Sequence, residues 1–234
     1  MYGWVIPPPK PPTKTAEEFL RERRRKVKEL EARGLLRSPR LKAAMLKVPR
    51  EAFIPDLYRD YAYLEVPLPL PGEATISCPH SYPLFYEALG LDAGHRFLEV
   101  GAGSGYGAAL AWEVVGEEGL VVTMEIDPET FAFARRNLEA LGYDRVEVLL
   151  GDGSLGYPPR TPFDCICFTA AAPAVPPPLL AQLAPGGRLI GPVGRPHLIQ
   201  YLVLMIRQDS DRFQRLVVET VAYIPLRGIY GFSD

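Results

Sequence analysis

The chain has 234 residues, of which 47% are hydrophobic and 23% are charged, and its formal net charge is -2. This length allows one α/β unit with a sizeable core and a smaller appendage, and the balanced charge argues against a nucleic-acid-binding surface or a disordered chain. No apolar run approaches the roughly 20 residues that a membrane helix needs, and prolines interrupt the opening segment where a signal peptide would be continuously apolar.

The cysteines are too few and too irregularly placed for a disulfide framework. Cys165 and Cys167 are two residues apart, as on one face of a strand, and we interpret them as small buried side chains in a reducing cytosol. A metal site would need further Cys or His residues close by in the sequence, or a fold that brings them together, and we identify no such spacing. We therefore expect a cytoplasmic protein that binds no metal.

The chain divides into three stretches that we expect to form one compact unit. Residues 1–14 are a Pro-rich extension without periodicity. Residues 15–94 contain two helix patterns and then a long loop rich in Pro, Tyr and Gly, and long ordered loops of compact domains are usually functional. Residues 95–234 alternate between strand and helix patterns.

Capping residues indicate where the two N-terminal helices begin. Thr15 and Glu18 have the spacing of a capping box, which predicts a helix that starts at Thr15. Ser38 as the N-cap and Pro39 at the first helical position predict the second helix.

The strand patterns of the third stretch define the predicted fold class. They cover residues 96–100, 120–126, 146–150, 163–168, 188–193, 201–206 and 213–223. The first five alternate with helices and the last two resemble a hairpin, which predicts a doubly wound α/β sheet with an antiparallel C-terminal strand pair.

A glycine cluster marks a candidate nucleotide site between the first strand of this stretch and its helix. Gly101, Gly103 and Gly105 allow a tight turn that a ligand can approach without Cβ clashes. Their spacing differs from the Gly-x-Gly-x-x-Gly turn that seats a pyrophosphate. It favours a turn that carries the amino-acid part of S-adenosylmethionine. The alternative is a structural turn that binds nothing.

Acidic residues follow the next two strands. Glu125 lies at the distance from the glycines at which a carboxylate reaches the ribose hydroxyls of a nucleoside, and Asp152 with Gly153 lies where an adenine amino group would be held. A solvated strand end and a simple Asp-Gly turn are the alternatives. Because open α/β sheets bind ligands at the carboxyl ends of their strands, the three features together predict a nucleoside site.

Several segments resemble one enzyme family. They are residues 48–55 (VPREAFIP), 74–80 (ATISCPH), 99–106 (EVGAGSGY), 151–153 (GDG), 163–166 (FDCI), 169–176 (TAAAPAVP), 183–189 (LAPGGRL) and 192–194 (PVG). Through them the sequence resembles the protein-L-isoaspartate (D-aspartate) O-methyltransferases from about Ser38 to Leu226. The loop around Ser77 and the alanine block are the most specific of these segments.

The resemblance implies the Rossmann-like doubly wound sheet of class I S-adenosylmethionine methyltransferases. It also implies methyl transfer from S-adenosylmethionine to the free α-carboxylate of L-isoaspartyl residues in damaged peptides and proteins, with S-adenosyl-L-homocysteine as the product. The ester would close to a succinimide, whose hydrolysis returns some normal aspartate. A carboxylate with a reference pKa near 4 is already ionised at neutral pH, so the reaction needs positioning and exclusion of water rather than a general base.

By this resemblance Ser77 is the catalytic residue that orients the attacking carboxylate. The implied substrate-binding residues are Thr75, Ile76, His80 and Thr169. The implied cofactor-binding residues are Glu99, Gly101, Ala102, Gly103, Ser104, Gly105, Tyr106, Glu125, Ile126, Asp152 and Gly153. The alternatives are a turn hydroxyl for Ser77 and a strand-terminal cap for Thr169. We assign no covalent role to Cys78.

Residues 81–85 depart from the family pattern, and Pro83 places the start of a helix nearby. The acceptor therefore has an alternative, a normal aspartate in a dedicated peptide. A binding module that holds the cofactor without turnover is a further alternative. No base-flipping motif and no basic surplus indicate a nucleic-acid substrate, and we expect no membrane partner and a monomer.

Overall fold

The structure, a computed structural model, describes residues 5–196, 198–209 and 212–232. Its N-terminal part contains the predicted helices α1 (Ala16–Ala32) and α2 (Pro39–Lys47). The capping box of α1 is formed, because Glu18 N donates to the Thr15 hydroxyl at 3.3 Å and Thr15 N donates to the Glu18 carboxylate at 2.7 Å. No helix in the described ranges combines the length and the apolar character needed to cross a membrane.

The predicted long loop is largely divided into short elements. Single 3-10 turns at Arg50–Phe53 and Asp56–Tyr61 precede a small antiparallel pair of strands, β1 (Leu68–Pro69) and β2 (Thr75–Ile76). Helix α3 (Ser81–Leu89) follows and contains Pro83 in its first turn. Residues of the first turn have no N–H acceptor within the helix, so the missing N–H of proline costs no helical hydrogen bond there. The predicted helix start near Pro83 is confirmed.

The remaining elements alternate along the chain as predicted. They are β3 (Arg96–Val100), α4 (Tyr106–Val115), β4 (Leu120–Glu125), α5 (Pro128–Ala140), β5 (Glu147–Leu150), β6 (Phe163–Phe168), α6 (Pro177–Ala181), β7 (Leu183–Val193), β8 (Gln200–Arg207) and β9 (Phe213–Val221). Within the described ranges the main sheet has the order β5-β4-β3-β6-β7-β8-β9. Strands β3 to β7 run parallel, whereas β8 and β9 are antiparallel, which confirms the predicted fold class.

Strand β7 begins five residues earlier than the sequence pattern indicated, since the pattern placed its start at residue 188 and the structure places it at Leu183. The register with β6 shifts between the pairs Phe163–Leu183 and Cys165–Arg188. Gly186 has a φ of 76° within this stretch. Because the start of β7 is irregular and contains glycine, apolar periodicity did not predict it.

The order of the sheet determines where a ligand can enter. From β3 the chain moves outward to β4 and β5, and it then returns to β6 on the other side of β3. The loops that follow β3 and β6 therefore diverge and leave a crevice at their carboxyl ends. Cys165 and Cys167 are buried in β6, as predicted.

Candidate active site

A cavity of about 1320 Å³ lies at the carboxyl ends of the central strands. Most of the predicted site residues line it: Thr75, Ile76, Ser77, His80, Glu99, Gly101, Ala102, Gly103, Ser104, Glu125, Ile126, Gly153 and Thr169. Gly105, Tyr106 and Asp152 are not among its lining residues. The tertiary structure thus joins the predicted acceptor loop and the predicted nucleoside site in one space.

In the turn after β3, glycines occupy positions whose backbone has the positive φ angles of the left-handed region. Gly101 has a φ of 97° and Gly103 a φ of 55°. A Cβ at Gly101 would overlap the hydroxyl of Thr169, whereas one at Gly103 would have Leu70 and the carbonyl of Thr75 no nearer than 3.7 Å. Gly101 thus serves close packing of two loops, and Gly103 leaves the cavity open.

Thr169 joins the ends of the two central strands. Its hydroxyl donates to the carbonyl of Gly101 at 2.9 Å and lies 3.2 Å from the carbonyl of Val100. This is the strand-terminal arrangement considered as the alternative to substrate binding. Because the side chain also lines the cavity, its contact with an acceptor stays a prediction.

Gly105 and Tyr106 lie behind the cavity wall. Gly105 has a φ of 85°, and a Cβ there would be 3.0 Å from Leu138 of α5. Tyr106 is buried and makes edge-on ring contacts with Phe53 and Tyr82, at centroid distances of 5.5 and 4.8 Å. Both residues support the turn from beneath, and their contact with a cofactor stays a prediction.

Glu125 is fixed at the end of β4 by three backbone amides. Gly103 N donates to its carboxylate at 3.1 Å, Ile126 N at 2.9 Å and Asp127 N at 3.1 Å. Burial raises the pKa of the Glu125 carboxyl, and the three N–H donors oppose that rise. An ionised carboxylate has about four acceptor positions, so one is left for a ribose hydroxyl, and the residue fits the nucleoside role.

Glu99 is almost completely buried on β3 and accepts a hydrogen bond from the Thr123 hydroxyl at 2.7 Å. Burial raises the pKa of its carboxyl to about 8, and the nearby Glu125 adds to the rise. A Cβ at Gly107 would overlap the Glu99 carboxylate, so α4 requires glycine at that position. A cation such as a sulfonium or an ammonium would favour the ionised form of Glu99.

Asp152 is held by one neighbour close to it in the chain and by a second that is far from it in the chain. One oxygen accepts from Ser154 N at 2.9 Å and from the Ser154 hydroxyl at 2.6 Å. The other accepts from Ile229 N at 2.8 Å. Its adenine contact stays a prediction, but the bond to Ile229 shows that the C-terminal segment belongs to this region. Leu226 and Arg227 of that segment line the cavity, which sequence reasoning missed.

The acceptor loop is anchored by charged groups that the sequence reading did not identify as site residues. The guanidinium of Arg50 donates to the carbonyl of Ser77 at 2.6 Å. His80 Nδ1 lies 2.6 Å from the carboxylate of Glu65, whose other oxygen is 3.0 Å from the ammonium of Lys26. The signal available in the sequence was Arg50 within the family-like segment 48–55, whose other residues except Glu51 are apolar.

Cys78 lies beside these groups in the loop. Burial raises the pKa of its thiol to about 11, so the thiol stays protonated at neutral pH and is a poor nucleophile. This agrees with the interpretation of Cys78 as a residue without a covalent role.

Glu65, Cys78 and His80 bring potential metal-ligand atoms within 4.8 Å of one another, a grouping that their sequence spacing did not reveal. Lys26 and His80 already contact the carboxylate of Glu65, and the Cys78 thiol resists ionisation. A metal would need the thiolate and would meet the Lys26 ammonium nearby. The geometry favours a network in which the Glu65 carboxylate contacts His80 and Lys26, with Cys78 beside it.

These features define a class of protein, the S-adenosylmethionine-dependent methyltransferases. The class combines a doubly wound sheet and a glycine turn with an acidic residue at the end of the neighbouring strand and an adjoining acceptor loop. A family model described as protein-L-isoaspartate(D-aspartate) O-methyltransferase matches residues 21–230. The chain belongs to this family.

Individual relatives agree with the family match. Relatives described as protein-L-isoaspartate O-methyltransferases include one from Methanopyrus kandleri, 48% identical over 92% of this chain and 96% of the relative. Another, from Thermococcus sibiricus, is 45% identical over 93% of this chain and 98% of the relative. A solved structure of the same description is 34% identical with a TM-score of 0.80, over 89% of this chain and 67% of that chain.

Proposed function

We propose that this chain is a repair enzyme that transfers a methyl group from S-adenosylmethionine to the α-carboxylate of L-isoaspartyl residues in peptides and proteins. The observation that carries the proposal is the single cavity shared by Ser77 and Glu125. It places an acceptor-side hydroxyl and a ribose-side carboxylate in one space.

The cofactor side is formed by groups that suit each part of the molecule. The open turn at Gly103 leaves room for the amino-acid part, and Glu125 presents a free acceptor position for a ribose hydroxyl. When bound, S-adenosylmethionine supplies an electrophilic methyl group on a sulfonium. Glu99 and Glu125 line this end of the cavity, where a bound cation would favour the ionised form of both carboxyls.

The acceptor side orients a group that is already a nucleophile. An acceptor carboxylate oxygen forms a bond to the methyl carbon while the carbon–sulfur bond breaks and its electron pair stays on sulfur. Ser77 donates a hydrogen bond that orients this carboxylate, and Thr75, Ile76 and His80 bind the acceptor chain around it. No proton has to be removed from the acceptor, which suits a site whose Cys78 thiol stays protonated.

The test is transfer of labelled methyl groups to two short peptides that differ only in isoaspartate against aspartate. We expect base-labile methyl ester on the isoaspartyl peptide alone, and loss of most of the signal with the Ser77→Ala variant. Equal labelling of both peptides would instead support an aspartyl acceptor, and cofactor binding without any transfer would support a binding module.

We also propose how the parts of the chain divide this work. Residues 15–94 supply the acceptor side and the part after residue 94 the cofactor side of one compact unit, while the described part of the Pro-rich extension, residues 5–14, covers the surface. Lys10 N of this segment donates to the carbonyl of Leu57 at 3.0 Å, and Thr13 donates to Asp60 at 2.7 Å, which supports such a packing.

The place of action is proposed to be the cytoplasm, with the enzyme acting as a monomer on protein and peptide acceptors rather than on nucleic acid or at a membrane. Three free, buried cysteines suit a reducing compartment. Light scattering of the purified protein would test the monomer, since a dimer would double the measured mass.

A further inference from the structure

Arg50 is a completely buried arginine beneath the acceptor loop. Its Nε donates to the carbonyl of Ala62 at 2.6 Å, and its Nη2 donates to the carbonyl of Ser77 at 2.6 Å. Its guanidinium carbon lies 5.6 Å from the ring centroid of Tyr82 and 5.2 Å from that of Tyr106. Its Nη1 is buried and has no hydrogen-bond partner among the described residues.

The charge of Arg50 is not balanced by the chain in the way that neighbouring buried cations are. Arg23 lies 2.6 Å from the carboxylate of Glu51, and Lys26 lies 2.8 Å from Glu29. Arg50 takes part in no ion pair with any carboxylate that the structure describes within 4.0 Å. Its contacts are backbone carbonyls and aromatic faces, which offset only part of the cost of burying a charge.

An arginine keeps its charge in a protein, so this site carries a permanent positive charge directly behind Ser77. Arg50 does not line the cavity, whereas Ser77 does, and the bond from the guanidinium to the Ser77 carbonyl puts the charge behind that residue. The missing counter-charge is one that a ligand with a carboxylate supplies when it binds at Ser77. Low local polarity strengthens this attraction because few water molecules screen it.

We propose that Arg50 is a positioning residue that makes the acceptor site selective for a carboxylate. It fixes the backbone of Ser77 through the carbonyl, and its uncompensated charge attracts the anionic acceptor through space. The role rests on the proposed function, in which a carboxylate is the group that is methylated. The same chain contains the matched control, Arg23, a partly buried arginine of the N-terminal part that already has a carboxylate partner.

The experiment measures the preference for a charged ligand directly. Calorimetry with S-adenosylhomocysteine present compares an isoaspartyl peptide with the same peptide bearing a neutral α-carboxamide. We expect the wild-type protein to bind the acid at least about tenfold tighter than the amide. In Arg50→Met the two peptides should bind with affinities that differ by less than about twofold, while Arg23→Met should keep the wild-type ratio of acid to amide affinity. An unchanged ratio in folded Arg50→Met would overturn the proposal.

A second variant covers the case in which Arg50→Met does not fold. Arg50→Lys keeps the charge but cannot bond both carbonyls with a planar fork. We expect it to retain most of the acid preference and to lose about tenfold in kcat, because Ser77 is less firmly held. Loss of the acid preference in a folded Arg50→Lys protein would contradict the role of the charge.

The binding ratio also separates this proposal from the proposed function. A wild-type protein that prefers the acid but transfers no methyl group to it would contradict the repair reaction and leave the role of Arg50 supported. A wild-type protein that methylates the isoaspartyl peptide but binds acid and amide equally would contradict the role of Arg50 alone.

Discussion

The backbone N–H of Ile229 donates a hydrogen bond of 2.8 Å to the carboxylate of Asp152, across 77 positions of sequence. Arg227 adds an ion pair of 3.4 Å with Asp127, at the N-terminus of α5. These contacts hold the C-terminal segment against the side of the cavity where the nucleoside is expected. The segment is therefore part of the site rather than a passive end of the chain.

A substitution at Gly228 should weaken cofactor binding. Its φ is 118°, and a Cβ there would overlap the Asp152 carboxylate. Gly228→Ala should displace the segment and lower the affinity for S-adenosylmethionine about tenfold by calorimetry, which is about 1.4 kcal/mol. Gly142→Ala is the control, because that glycine has a φ of 77° and nothing within 4 Å of the added Cβ. Equal affinities for the two variants would exclude a role for the segment.

Gly103→Val should block the cofactor site more strongly. A branched side chain at this position would extend into the cavity, and the φ of 55° adds backbone strain. We expect binding of S-adenosylmethionine to weaken at least about a hundredfold, or about 2.7 kcal/mol. Gly94→Val carries similar strain at a φ of 74° with open space around the side chain, so it should reduce stability but keep the affinity. Unchanged calorimetric affinity of Gly103→Val would refute the assigned turn.

Ser77→Ala should separate turnover from cofactor binding. Removing one hydroxyl deletes a hydrogen bond to the acceptor, so kcat should fall about ten- to a hundredfold, while the affinity for S-adenosylmethionine changes by less than about twofold. Ser81→Ala serves as the control, since Ser81 lines the same cavity without being a predicted catalytic residue. If steady-state kinetics gave both variants the wild-type kcat, Ser77 would lose its catalytic assignment.

Glu99 should make stability fall as the pH rises from about 4.5 to about 8. Its carboxyl has a pKa of about 8 in the folded protein against 4.5 for an exposed glutamate. The contribution of Glu99 to the free energy of unfolding is fully present below pH 4.5, because the carboxyl is then protonated in both the folded and the unfolded state. Above it the unfolded state releases its proton and the folded state retains it, at about 1.4 kcal/mol per pH unit.

The Glu99→Gln variant tests this titration. Tyr86 and Cys167 nearby stay neutral in this range, because burial raises their pKa values further. Glu125 shares the effect in direction, since burial raises its pKa too. Denaturant unfolding of the cofactor-free protein should show Glu99→Gln gaining stability relative to wild type between pH 5 and pH 8. Parallel stability curves for the two proteins would disprove the raised pKa.

Local sequence was sufficient for most of the helices and strands and for locating residues that line the proposed cofactor side of the cavity. Thr15 and Ser38 mark their helix starts by capping chemistry, which acts over a few neighbouring residues. Gly101, Gly103 and Glu125 could be located because strand ends of a parallel sheet converge, whatever the rest of the chain does. The antiparallel strands at the end of the sheet followed from the alternation of apolar and polar residues.

The tertiary structure alone decided what surrounds the acceptor. Three contacts join segments that share no periodicity in the sequence. His80 pairs with Glu65, Arg50 lies behind Ser77 with its charge uncompensated, and Ile229 bonds to Asp152. Burial and electrostatic balance depend on which groups are close in space, and a linear pattern records only the distance along the chain. For this reason the sequence could place Ser77 in a loop, whereas only the fold showed which charge lies behind it.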